Sequence, residues 1–364
     1  MRCLTLAEEL RTRDIKTVFI CRSLPGNIND YVKDRGFALT ELSAGNSDLA
    51  GTSARPTHEQ WLGVEPAVDA AETARAIAAL EGVHWLIVDH YGLSRPWYEV
   101  MRPHVGRILA IDDLADRKLE CDLLLNQNLL AYRDDPYTDL LPSRCRKLLG
   151  PEFALLRSEF EEWHAKTEVR RAKVNRVLVS YGGVDATNET AKALEAIGSL
   201  GIDNLEFTVV LGSANSHADS LSKSVKDLNQ VTIYRNVDHM AELIAQADLA
   251  LGAGGTTTWE RAYLGLPAII TTVAANQVPS ARAMAEAGAA VYLGTSEEVT
   301  NVQVASAIRE ILDDPPRISQ MSRKAAALFG EDSRPGVKKV ADAMFNRQPE
   351  SDRAADEPGC HEPS

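Results

Sequence analysis

The run Asp248-Leu-Ala-Leu-Gly-Ala-Gly-Gly-Thr-Thr-Thr-Trp-Glu260, followed by Leu264-Gly-Leu-Pro267 and Ala275-Asn-Gln277, decides how this chain is read. It spells a buried strand, a glycine loop and the start of a helix. Such a loop presents backbone N–H groups without side-chain obstruction, and the first unpaired donors of the helix point the same way, so a diphosphate fits there. Glu260 falls about one turn into the helix, where a carboxylate can accept hydrogen bonds from sugar hydroxyls beside that diphosphate. Glycines also serve tight turns and close helix–sheet packing, Thr256 also reads as a helix cap, and a carboxylate near a helix start is favoured by the dipole without any ligand. Asn276 and Gln277 follow the next strand and begin the next helix, again at a sheet's carboxyl edge or as a cap.

Working outward, short β-branched runs alternate with helical patterns, which points to βαβ repeats around parallel sheets. Strands are expected at Thr17–Cys21, Trp85–Val88, Arg107–Ile111, Leu123–Leu125, Arg176–Ser180, Glu206–Leu211, Val231–Tyr234, Leu249–Leu251 and Ala268–Thr272. Helices are expected at Pro66–Leu80, Thr187–Ile197, Met240–Gln246 and Thr257–Leu264. A length of 364 residues exceeds the usual single core, so two doubly wound, Rossmann-like domains in series are expected. They are placed at 1–157 and 176–346, joined by a charged connection at 158–175 and followed by a polar, disordered tail at 347–364. The chain opens directly in a helix with the stripe Leu4, Leu6, Ala7 and Leu10, so the strand that precedes such a helix in a doubly wound domain is missing from the first domain.

Composition narrows the partners. A formal charge of -13 with no dominant Lys/Arg cluster argues against nucleic acid. Five scattered cysteines with no Cys-x-x-Cys pair and eight histidines without ligand spacing give no reason to expect a disulfide framework, a metal or another cofactor. Glu8 and Glu9 break the short apolar start, and no stretch approaches the ~20 apolar residues of a membrane helix, so a cytoplasmic protein without a membrane partner is expected.

Other polar clusters end strands. Ser180-Tyr-Gly-Gly-Val-Asp185 can bring Gly183 close to phosphates or to an interdomain cleft, or can form only a turn. Val88-Asp-His-Tyr-Gly92, Ile111-Asp-Asp-Leu-Ala-Asp-Arg117 and Asn126-Gln-Asn128 repeat the arrangement in the first half. Asp112 and Asp113 are adjacent on a strand end and point to opposite sides, so at most one faces a given cleft.

These blocks, with Met1-Arg-Cys-Leu-Thr-Leu-Ala7, Phe19-Ile-Cys-Arg22, Leu24-Pro-Gly-Asn27 and Gly150-Pro-Glu-Phe-Ala-Leu-Leu-Arg157, resemble the UDP-2,4-diacetamido-2,4,6-trideoxy-β-L-altropyranose hydrolases of pseudaminic acid biosynthesis. Those enzymes are GT-B glycosyltransferase-like. The resemblance implies two Rossmann-like domains facing a cleft, with a UDP-sugar as substrate. It implies that Gly254, Gly255 and Thr256 contact the diphosphate, that Glu260 binds the ribose, and that Asn276 and Tyr91 lie near the sugar or the attacking water. Hydrolysis would release UDP and a free sugar. Family members carry a strand and a Gly-x-Gly-His loop, with the general-base His, before the segment matching Met1 to Leu4; this sequence starts after it. His90 is the nearest spatially plausible substitute, with no motif that supports the role. A GT-B glycosyltransferase and a catalytically silent nucleotide-sugar-binding protein are the alternative readings.

Overall fold

Aliphatic and β-branched runs become twelve strands in the computed structural model, which describes residues 1–345 except 46–57, 131–134, 168, 171, 172, 203, 226, 227 and 333. The tail at 347–364 lies outside the described residues. The strands are β1 Val18–Arg22, β2 Ala38–Leu42, β3 Trp85–Val88, β4 Arg107–Ile111, β5 Leu123–Asn126, β6 Arg146–Leu149, β7 Arg176–Ser180, β8 Glu206–Leu211, β9 Val231–Arg235, β10 Leu249–Ala253, β11 Ala268–Thr272 and β12 Ala290–Thr295. Every pairing among them is parallel. Parallel neighbours need a crossover, which a helix supplies between β1 and β2, between β3 and β4, and from β7 to β12.

The second half forms one six-stranded sheet in the order β12-β11-β10-β7-β8-β9. Period two divides its side chains between two cores. Val177, Val179, Leu249 and Leu251 pack with the helices Glu189–Leu200 and Asn301–Asp313. Leu178, Ala250 and Ile270 pack on the other face with Ile244, Trp259, Ala262 and Met284. Each large aliphatic side chain so buried contributes about 1.5–3 kcal/mol. Phe160, fully buried on the helix Ser158–His164, belongs to this second core. The charged stretch expected as a connection therefore begins as a packed element of the second half.

The first half has two pieces, a β1-β2 pair and a four-stranded sheet β3-β4-β5-β6. The helix Arg2–Thr12 lies across both. Its Leu6 and Leu10 pack with Leu109, Ile111, Leu123 and Leu125, while Leu4 and Ala7 pack with Val32, Phe37 and Phe19. In the second sheet, β7 stands between β8 and β10 and leads into the helix Glu189–Leu200. Among the described residues, no strand holds the corresponding place between β1 and β3. The contrast in burial is direct: β1 is partly exposed at every position and β3 at three of four, whereas β10 is buried throughout.

Three strands, β2, β6 and β12, go beyond the sequence expectation. Each is short or marginal in pattern: β2 is half-exposed Ala-Leu-Thr-Glu-Leu, β6 starts with exposed Arg146 and Lys147, and β12 is a partly exposed edge with Gly294 at φ 132°. The helix Gly336–Phe345 was expected with the second half, yet Val337, Val340, Ala341 and Met344 join the first-half core with Leu6 and Leu10. Its apolar stripe makes the helix legible and leaves its destination open.

Two outcomes follow for the 364-residue chain. Amides of β1 and β3 exchange with deuterium faster than those of β7 and β10, because their outer edges lack a partner strand among the described residues; equal protection would contradict this. Val340→Asp places a charge in the first-half core and costs several kcal/mol, so exchange rises in β4 and β5 before it rises in β10.

Candidate functional site

Strands β7, β10 and β11 end side by side, with Ser180 registered on Gly252 and Ala253 on Thr271. The loops after them therefore share one edge of the second sheet. Gly254 is buried where a Cβ would lie 3.2 Å from both Gln277 Cβ and Thr272 Cγ2, and Gly255 lies near Gln277 Nε2. Gln277 Oε1 accepts a hydrogen bond from the Val273 amide at 3.1 Å. That bond fixes the Gln277 side chain against the glycine loop, in place of capping the helix Val278–Glu286. Thr256 is exposed and makes no capping bond to the helix Thr257–Tyr263. Asn276 is exposed in the short 3-10 turn Ala275–Gln277. Gly183 is exposed in the neighbouring loop, and a Cβ on Gly212 would lie only 2.3 Å from its Cα. The expected Gly183, Gly254, Gly255, Thr256, Glu260, Asn276 and Gln277 thus all fall on the carboxyl edge of one sheet.

Glu260 faces Arg157, whose Nη2 is 3.6 Å from Oε1, while the other guanidinium nitrogen pairs with Glu159 at 2.8 Å. Burial raises the Glu260 carboxyl above the ordinary glutamate range, and the Arg157 charge offsets part of that rise. Next to it in sequence, Trp259 is buried and donates from Nε1 to Asn128 Oδ1 at 3.0 Å. This bond joins the helix of the glycine loop to the end of β5 in the first half.

From Asn128 the polar contacts continue through the first half. Asn128 Nδ2 donates to Asp113 at 3.3 Å, Asp113 lies 3.6 Å from Arg2, and Arg2 makes two hydrogen bonds to Asp89, at 2.9 and 2.7 Å. Asp112 turns the other way. It accepts from the amides of Leu114 and Ala115, pairs with Arg117 at 2.7 Å, and holds the turn in which Ala115 has φ 50°. The two adjacent aspartates have divided into a turn former and a member of the polar cluster. Tyr91 sits beside Asp113 and Arg2, with burial and the Asp113 charge raising its phenol, and its ring meets His58 and Trp61 at 5.5 and 6.1 Å.

His90 does not fit the role of substitute base. Its Nδ1 accepts from the Gly92 amide at 3.0 Å, the Trp61 backbone makes a further hydrogen bond to the ring, and burial lowers its pKa. The ring is spent on local structure. Asn128 belongs to the polar strand-end cluster Asn126–Asn128, whereas Arg157, Trp259 and Arg261 are functional candidates that sequence reading did not assign a role; the position of Trp259 and Arg261 beside Glu260 was their one signal. No group of three or more His, Cys, Asp or Glu side chains suited to a metal occurs among the described residues. No helix among them is long and apolar enough to cross a membrane.

Residues 176–340 match the glycosyltransferase family 28 C-terminal domain, which brackets the six-stranded sheet. The UDP-2,4-diacetamido-2,4,6-trideoxy-β-L-altropyranose hydrolase of Campylobacter jejuni is 27% identical over 164 residues, covering 45% of this chain and 57% of that protein. The chain spans about half the length of the curated relatives it matches. Among solved structures, MurG of Acinetobacter baumannii aligns over 94% of both chains with a TM-score of 0.62 at 14% identity. LpCGTa in complex with UDP aligns over 95% of this chain and 96% of that one with a TM-score of 0.65 at 12% identity. At these identities the structural likeness speaks for the fold, and the sequence match adds the C-terminal region. The chain has a GT-B-like fold, and its residues 176–340 are similar to the C-terminal domain of glycosyltransferase family 28.

Proposed function

We propose that this chain binds a UDP-sugar at the Gly254–Glu260 loop and hydrolyses it, with water attacking the anomeric carbon to release UDP and a free 2,4-diacetamido-2,4,6-trideoxyhexose. The observation that carries the reading is the glycine loop at the end of β10, with Glu260 one turn further on. In this reading the amides of Gly254, Gly255 and Thr256 hold the diphosphate, Glu260 accepts from the ribose hydroxyls, and Gly183 and Gln277 border the pocket. Asn276 and Tyr91 act at the sugar or the water. Charge that develops on the departing diphosphate is stabilised by the loop's fixed amide donors. The hydrolase relative supports the choice of water as acceptor.

One observation favours a second reading, a nucleotide-sugar-binding protein without turnover: both hydrogen bonds to the His90 ring are local, and the ring is not available to activate water. The assay that separates them is chromatographic detection of UDP from UDP-2,4-diacetamido-2,4,6-trideoxy-β-L-altropyranose without added acceptor. UDP release supports hydrolysis. UDP binding with no release supports the silent reading, and release that strictly requires an acceptor hydroxyl assigns a transferase.

For the donor site, Glu260→Ala weakens UDP binding on the order of tenfold in calorimetric titration, as expected for charged hydrogen bonds lost from the ribose; unchanged affinity refutes the assignment. Stability moves independently. Because the folded-state pKa of Glu260 is raised, ionising it destabilises the fold as pH climbs through that raised value. Glu260→Gln therefore melts no lower than wild type at pH 7, although it binds UDP more weakly.

A further inference from the structure

Arg261 is the residue beneath the glycine loop, and it is only 2% exposed. Its Nη2 donates to the Ala253 carbonyl at 2.7 Å and to Thr258 Oγ1 at 3.2 Å. Its Nε and Nη1 are buried and have no hydrogen-bond partner. Arg261 makes no ion pair among the described residues; the charge of neighbouring Glu260 offsets its own only in part, and Glu260 also faces Arg157. A buried cation left in this way costs several kcal/mol unless an opposite charge compensates it. Its position is specific: a Cβ added at Gly252 would lie 2.2 Å from Nη1 and 2.5 Å from the Ser180 carbonyl. Glycine at 252 thus leaves room for a guanidinium between the ends of β7 and β10. Burial lowers the Arg261 pKa to about 10, which keeps it charged at neutral pH.

We propose that Arg261 is a positioning residue and buried counter-charge for an anionic ligand on the loop above it, the diphosphate of a nucleoside diphosphate. This rests on the reading of the loop as a UDP-sugar site. The side chain does not touch the ligand. It holds the Ala253 carbonyl inward, which leaves the following amides free to face outward, and it places a positive charge in a low-dielectric layer under the bound phosphates, where screening is weak. In a chain of net charge -13, such a local cation offsets the unfavourable overall field.

The test is a titration of the full chain with UDP, inorganic pyrophosphate and uridine, using wild type, Arg261→Gln and Arg261→Lys. Arg261→Gln keeps a donor for Ala253 and loses the charge. Its affinity for UDP and pyrophosphate falls on the order of tenfold or more, while uridine affinity stays unchanged. An equal loss for UDP and uridine shows a merely structural role and overturns the proposal, as does unchanged UDP affinity. Arg261→Lys keeps the charge and serves if the neutral variant does not fold; it retains UDP affinity within about threefold, and a tenfold loss in the folded lysine variant overturns the proposal. Wild-type protein that binds neither UDP nor pyrophosphate refutes the underlying site reading, whereas wild-type binding that is insensitive to Arg261→Gln refutes only the counter-charge.

Discussion

The pairing of β7 with β10 is the constraint on which the site depends. After β7 the chain moves outward through β8 and β9, then returns to lay β10 on the opposite side of β7. Loops leaving two neighbouring parallel strands whose connections run in opposite directions diverge, and a crevice opens between them at the carboxyl edge. Ser180 registered on Gly252 sets that crevice in place. The backbone approaches closely there because glycines occupy 183, 212, 252 and 254, and the space at 252 is taken by the Arg261 guanidinium. Main-chain geometry, a buried cation and an acidic side chain one turn along the helix are thus organised by one strand pair.

The central strands and the glycine loop were legible because their patterns are local. Arg107–Ile111, Arg176–Ser180 and Ala268–Thr272 are continuous apolar or β-branched runs, the first two opened by an arginine and the third by Pro267 just before it, and the structure has strands at those boundaries. Edge strands were less legible, since β6 is half charged and β12 carries a glycine and a register shift against β11. The tertiary half of the site was not legible. Asn128 and Trp259 are 131 residues apart, and nothing local to either predicts their hydrogen bond. Arg157 was read as the end of a domain, yet it faces Glu260. His90 looked chemically capable because its type is, while its ring proved to be spent on the Gly92 turn.

The two halves also differ in how polarity is used. In the second half, the carboxyl edge is mostly backbone and small side chains, suited to an anion that needs amide donors. In the first half the corresponding edge is a network of formal charges, Arg2, Asp89 and Asp113, with Tyr91, His58 and Trp61 alongside. The Trp259–Asn128–Asp113 contacts join these two chemistries. The helix of the glycine loop and Asp113 are thus held in one continuous set of polar contacts.

The helix Gly336–Phe345 bears on motion between the halves. The chain leaves the first half near Arg157 and re-enters it at Gly336, and the two passages touch: a Cβ on Gly336 would lie 2.5 Å from the Ala154 carbonyl, Lys338 pairs with Glu161, and Lys339 with Glu152. A single tether would let one half swivel freely about the other. Two abutting passages, clipped by ion pairs, instead hold the halves together at two points of the chain and restrict that swivel.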